Sequence, residues 1–145
     1  MHQPPAPDPG IYSRPVIFED ETRIAYWGTT GMMGPEAIYL ADVGATVEAP
    51  EIAINGPVGS GINVGTTEEW LSFRRDSNGA LNAFVIPISP LDPDGAMQVS
   101  DLDEGDQSTL GSPVFVPGDE AVWYRADRDV DQVDEIFFVD ISGAM

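Results

Sequence analysis

The chain contains no cysteine, no lysine and a single histidine, His2, which lies in its first ten residues. Without cysteine there are no disulfides, thiolate metal sites or thiol nucleophiles, and the redox compartment stays open. With its lone histidine at the amino-terminal end, the chain has no base to activate Ser60, and a zinc centre lacks its usual ligands. A Gly-x-Ser-x-Gly elbow is absent as well, so the expectation is a non-enzymatic chain. No apolar run approaches the roughly 20 residues that span a bilayer, which argues against membrane insertion. The opening MHQPPAPDPG has neither the basic nor the apolar part of a signal peptide, and residues 1–10 read as a Pro-rich tail. Helical periodicity is missing throughout.

Positive charge is also scarce. Six basic residues, all arginine, stand against 25 acidic ones, a net charge of −19. Nucleic acid and anionic membranes are therefore unsuitable partners. Two readings of the acidity remain open: a surface for a cation or a basic partner, and the solvated coat of a salt-adapted protein, whose self-repulsion salt screens.

What the sequence does have is a repeat. Sliding it by 98 positions lays Pro15 on Pro113, Ile24 on Val122, Tyr26 on Tyr124, Ile38 on Ile136, Tyr39 on Phe137 and Asp42 on Asp140, in one ungapped register of 29 residues. A middle copy lies between: Leu71, Phe73 and Arg74 fall on Val122, Tyr124 and Arg125 at a shift of 51, and Phe84, Ile86 and Ile88 fall on Phe137, Val139 and Ile141 at a shift of 53. Three copies at this spacing predict a repeat architecture.

Alternation and turn residues divide each copy into short strands. The first has Arg14–Phe18, Arg23–Trp27, Ala37–Val43 and Glu51–Ile54. The second has Ile62–Val64, Glu69–Arg74, Asn82–Ile88, ending or bulging at Pro87, and Met97–Ser100; a turn runs through Asp76–Gly79. The third has Val114–Val116, Ala121–Ala126 and Glu135–Ile141, with no fourth strand. Four antiparallel strands per copy, fanned about an axis, make an all-β propeller-type repeat with an incomplete last blade. The blades are expected at about residues 11–56, 57–107 and 108–145.

The pattern Ser-Pro-Val-Phe-x-Pro-Gly-Asp-Glu-x-Val-x-Tyr at 112–124, followed by Glu-Ile-Phe-Phe-Val-Asp-Ile at 135–141, resembles the repeat of TolB-like, WD40-like β-propellers. The turn is Pro117-Gly118-Asp119 where that repeat has Pro-Asp-Gly. The resemblance implies a binding scaffold, located in the periplasm or outside the cell. Such propellers close with more blades than this chain supplies. Either the chain is a fragment whose remaining blades lie elsewhere, or two copies pair to complete a ring.

Two acidic stretches are candidates for a binding face: Asp101, Asp103, Glu104 and Asp106 between the second and third copies, and Asp127, Asp129, Asp131 and Asp134 within the third. In an up-and-down blade both connections leave on the same rim, which would make one acidic surface for a protein partner. Alternating carboxylates can also converge on a hard cation, which makes Asp127, Asp129 and Asp131 candidate calcium ligands. Against this, Gln132 stands where an EF-hand loop needs glycine and Phe138 where it needs a bidentate glutamate, so a solvated hairpin loop is the plainer reading. Two further alternatives are the propeller portion of a larger hydrolase and a calcium-stiffened surface repeat protein. The aligned aromatics Tyr26, Phe73 and Tyr124, with Trp27, Trp70 and Trp123, are expected to pack between blades. Arg74 and Arg125 are expected to tie neighbouring blades by hydrogen bonds.

Overall fold

A computed structural model describes residues 15–19, 21–29, 36–43, 51–55, 61–103, 112–127 and 133–144. The first copy forms β1 (Val16–Ile17), β2 (Arg23–Thr29), β3 (Glu36–Asp42) and β4 (Glu51–Asn55). The second forms β5 (Asn63–Val64), β6 (Trp70–Ser77), β7 (Ala80–Pro87) and β8 (Met97–Gln98), and the third β9 (Val114–Phe115), β10 (Ala121–Ala126) and β11 (Glu135–Asp140). Each copy is one antiparallel sheet paired in chain order, with four, four and three strands. β7 ends on Pro87, which has no N–H to extend the ladder. The turn from β6 to β7 is the two-residue Asn78-Gly79, with φ of 57° and 79°. These positive angles suit the right-handed twist of a tight hairpin, and asparagine and glycine tolerate them best.

The copies match hydrogen bond by hydrogen bond. In the hairpin between the first two strands, the Phe18 N–H donates to the Arg23 carbonyl, Gly65 to Trp70 and Val116 to Ala121. One acidic residue in each of these turns adopts the left-handed conformation: Glu21 (φ 55°), Glu68 (φ 59°) and Asp119 (φ 57°), three equivalent places in the repeat. The second and third strands of every sheet carry one stacked aromatic pair. Tyr26 faces Tyr39 and Phe73 faces Phe84 with ring centroids 5.4 Å apart, and Tyr124 faces Phe137 at 5.2 Å. Such offset pairs are worth about 0.5–1.5 kcal/mol beyond the area they bury.

The sheets pack face to face because strand alternation gives each an apolar set on both sides. Ala25, Ile38 and Leu40 of the first sheet meet Leu71, Phe73, Phe84 and Ile86 of the second. On its opposite side, the second sheet presents Trp70 and Val85 to Phe115, Val122 and Ile141 of the third. The middle sheet is thus covered on both faces. Its central strand β7 is accordingly almost continuously buried, whereas β11 alternates between half-buried and exposed along its length.

Polar contacts fasten the same two interfaces at one end of the sheets. Arg23 lies over the Phe18 ring, 5.0 Å from its centroid, and its guanidinium donates to the Ile88 carbonyl at 3.4 Å. The Glu19 N–H donates to the Glu68 carboxylate. One interface further on, Asp119 repeats the arrangement with more partners. Its carboxylate accepts from the N–H and hydroxyl of Thr66, at 2.7 and 2.9 Å, and from those of Thr67, at 3.0 and 2.5 Å. Gly65 leaves room for it: a Cβ there would lie 2.2 Å from the Asp119 Oδ2. The second and third sheets therefore each reach back to the hairpin of the sheet before with an acidic side chain.

Candidate functional site

The Asp101-Leu102-Asp103 segment follows β8 and is held by a buried polar network on β7. The Asn82 side chain is fully buried. Its Nδ2 donates to the carbonyls of Ser77 and Leu102, both at 2.9 Å. Its Oδ1 accepts from the Leu102 N–H at 2.8 Å and the Ser100 hydroxyl at 2.7 Å. The Ser100 hydroxyl oxygen in turn accepts from the Ala83 N–H at 2.8 Å. Both oxygen and nitrogen of the amide are engaged, as burial in a low dielectric requires.

This network points Leu102 inward, where it is 0% exposed and packs with Ala83, Tyr124 and Ala126. Its two neighbours, Asp101 and Asp103, are exposed. Leu102 and Ala126 share one apolar cluster, so the described ends of both acidic stretches, Asp101–Asp103 and Asp127, meet at one end of the second and third sheets. Two outward carboxylates thus stand on a base fixed by backbone hydrogen bonds.

The other candidate residues are placed differently. Asp127 is buried, 8% exposed, so it is not a solvent-facing carboxylate. Asp134 is exposed and pairs with Arg125 at 3.6 Å. Glu104, Asp106, Asp129 and Asp131 lie outside the described residues. Among the described residues no group of three or more acidic or histidine side chains is arranged to hold a metal. Of the three candidate calcium ligands, only Asp127 is described, and its side chain is largely enclosed.

Two expectations about paired residues come out unequally. The aligned aromatics do serve packing: Phe73, Trp70 and Tyr124 are buried between sheets, and Tyr26 is half-buried. Burial and, to a smaller extent, the neighbouring Tyr39 raise the Tyr26 hydroxyl pKa above its ordinary value. The two arginines do not share a role. Arg74 is partly buried on the face turned to the third sheet, and burial lowers its pKa. Arg125 occupies the equivalent place on the outermost face, where no described sheet covers it, and it pairs within its own sheet instead.

Sequence reasoning missed Asn82 and Asp119. Asn82 has a signal, a lone amide inside the otherwise apolar run from Ala80 to Ile86. Asp119 has almost none, as one of 25 acidic residues.

Between the outer strands of the second and third sheets runs an open groove of about 460 Å³, lined by Met97, Gln98, Val99, Val139, Asp140, Ile141 and Gly143. At its end Asp140 accepts from the Ser142 hydroxyl at 2.6 Å and from its N–H at 2.8 Å. These bonds hold the Asp140 carboxyl below its usual pKa.

Successive antiparallel sheets packed face to face, fastened at matching turns and repeated in register, define an arc of a β-propeller. The fold is TolB-like. Over 94% of this chain it superposes on 31% of TolB from Acinetobacter baumannii, with a TM-score of 0.66 and 17% identity. It also matches a protein assigned as TolB from Agrobacterium tumefaciens, with a TM-score of 0.63 and 15% identity, over 89% of this chain and 42% of that one. The chain therefore spans less than half the length of either structure. No protein-family model matches the sequence, and no curated protein sequence matches it.

Proposed function

We propose that the chain is a non-enzymatic propeller segment that binds a protein partner through the acidic end of its second and third sheets. The observation that carries this reading is the Asn82 network. It fixes Leu102 in the core and holds Asp101 and Asp103 outward, where a merely solvating loop would need no such anchoring. On a chain of net charge −19 these carboxylates favour a basic surface on the partner. In this reading the carboxylates of Glu104, Asp106, Asp129, Asp131 and Asp134 belong to the same contact surface. It works in the periplasm or outside the cell, the location that the repeat resemblance implies.

The test begins by isolating the partner on immobilised wild-type chain and continues with titrations of the purified partner. Replacing Asp101 and Asp103 by Asn should weaken binding at least about tenfold and flatten its salt dependence. Equal affinity for wild type and variant, at both low and high salt, would refute the acidic end as the contact surface.

A further inference from the structure

Of the four asparagines in the chain, Asn55 and Asn78 precede glycine. An asparagine before glycine is open to cyclisation, because no side chain on the next residue hinders its backbone nitrogen. Asn78 and Gly79 are the exposed central residues of the hairpin between β6 and β7. The ladder begins at the Ser77–Ala80 pair, so neither residue takes part in it. Among the described residues the Asn78 side-chain amide has no hydrogen-bond partner. Asn63 and Asn82 are held: Asn63 precedes a β-branched valine and donates to the Pro113 carbonyl at 3.0 Å, and Asn82 is buried with both ends of its amide engaged.

We propose that Asn78 is a site of spontaneous chemical modification, where water converts the asparagine to aspartate and isoaspartate with release of ammonia. The Gly79 backbone nitrogen gives up its proton and attacks Asn78 Cγ. The Cγ–Nδ2 bond breaks, ammonia leaves, and a five-membered succinimide ring remains. Water then adds to one of the two ring carbonyls, and the ring C–N bond at that carbon opens. Opening at Cγ gives aspartate. Opening at the backbone carbonyl gives isoaspartate, whose main chain runs through the former side chain.

The turn is shaped for this reaction. Positive φ at both central residues makes it a type I′ turn. The ring needs Cβ and the next nitrogen on the same side of the Cα–C bond, a ψ of about −120°, which with positive φ is the first central position of a type II′ turn. Both turn types join paired strands with the right twist. Rotating the one peptide plane between Asn78 and Gly79 interconverts them, and glycine accepts the change in the sign of φ. The ring therefore closes while β6 and β7 stay paired. The rotated state is strained at Asn78, which should slow cyclisation about ten- to a hundredfold relative to the unfolded chain. A reaction that needed the sheet to unfold would be slowed more than about a thousandfold.

The two products differ in what they do to the base of the turn. The Ser77 carbonyl accepts from Asn82 Nδ2 at 2.9 Å, and the Asn82 amide holds the N–H and carbonyl of Leu102. Isoaspartate adds one atom to the main chain of a turn whose span is set by the Ser77–Ala80 pair, and so loosens the anchor of the 101–103 segment. Aspartate keeps the main chain and leaves that anchor in place.

Ageing the full chain in oxygen-18 water at neutral and mildly alkaline pH, with and without denaturant, tests the inference by peptide mapping in a mass spectrometer. The label should enter at Asn78 as both products, with the folded chain about ten- to a hundredfold slower than the denatured one. Each product carries a new carboxylate, so anion exchange separates the aged forms from the parent. In the isoaspartate form the Leu102 amide should exchange about fivefold faster or more, as loss of one net hydrogen bond allows. In the aspartate form, and in freshly prepared Asn78→Asp, it should exchange at the wild-type rate. Conversion confined to Asn55, or slowed more than about a thousandfold at Asn78 by folding, would overturn the site. Equal Leu102 exchange in the isoaspartate and aspartate forms would overturn its coupling to the Asn82 network.

Discussion

Asp119 offers the sharpest test of how the sheets are joined. Its carboxylate is 2% exposed and accepts four hydrogen bonds from Thr66 and Thr67 across the second interface. Bonds to a charged acceptor contribute about 1.5–3 kcal/mol each when their donors are otherwise unsatisfied. Here both threonines are exposed, so water takes over part of the role once the carboxylate is gone. The net cost of Asp119→Ala should be about 2–4 kcal/mol, a fall in melting temperature on the order of 10 °C for a chain of this size. Gly65 makes the reasoning refutable. In the wild type, Gly65→Ala drives a Cβ to 2.2 Å from Asp119 Oδ2 and should expel the carboxylate. In the Asp119→Ala background, that clash is absent and Gly65→Ala should cost much less. Denaturant unfolding of the four proteins measures the coupling, and strictly additive costs would show that the two residues do not meet as described.

Other outcomes follow from the same geometry. Asn82→Ala leaves the Leu102 N–H and carbonyl and the Ser100 hydroxyl without their buried partner, and should cost about 2–4 kcal/mol by chemical unfolding. Amide exchange should quicken at Leu102 more than in β6, since the segment from 99 to 103 loses its anchor. Ser142→Ala removes the bond that chiefly depresses the Asp140 pKa, so the Asp140 titration followed by NMR should move up toward the ordinary carboxylate range. A depressed carboxylate stabilises the fold above its unfolded pKa and loses that contribution as pH falls through its folded value. The variant should therefore differ from wild type only at neutral pH and above the acid transition, and only slightly, because Asp140 is exposed.

Much of the architecture was legible because the repeat constrains itself. Tyr26, Phe73 and Tyr124 align in the sequence itself, and residues that recur at one place in a repeat meet the same neighbours when each sheet packs on the next. That logic holds for the stacked pairs, which lie within each sheet. It fails for Arg125 because the third sheet has no described successor, so the place that is partly buried for Arg74 is open for Arg125. The acidic stretches were visible as charge, but charge alone does not say which side chains point outward. Leu102 decides that for Asp101 and Asp103, through a network centred on an asparagine some 20 residues earlier. The clasp of Asp119 was hidden for a different reason: an acidic residue in a turn is ordinary in so acidic a chain, and only its left-handed backbone and the bare Gly65 opposite distinguish it.

The most direct measurement is a set of side-chain nuclear Overhauser contacts from methyl- and ring-labelled protein. If consecutive copies stack as neighbouring sheets, Ile38 and Leu40 will show contacts to Leu71 and Phe73, and Trp70 and Val85 will show them to Val122 and Ile141. Contacts running directly from Ile38 or Leu40 to Val122 and Ile141, with none to Leu71 or Phe73, would contradict the order of the arc and everything built on it.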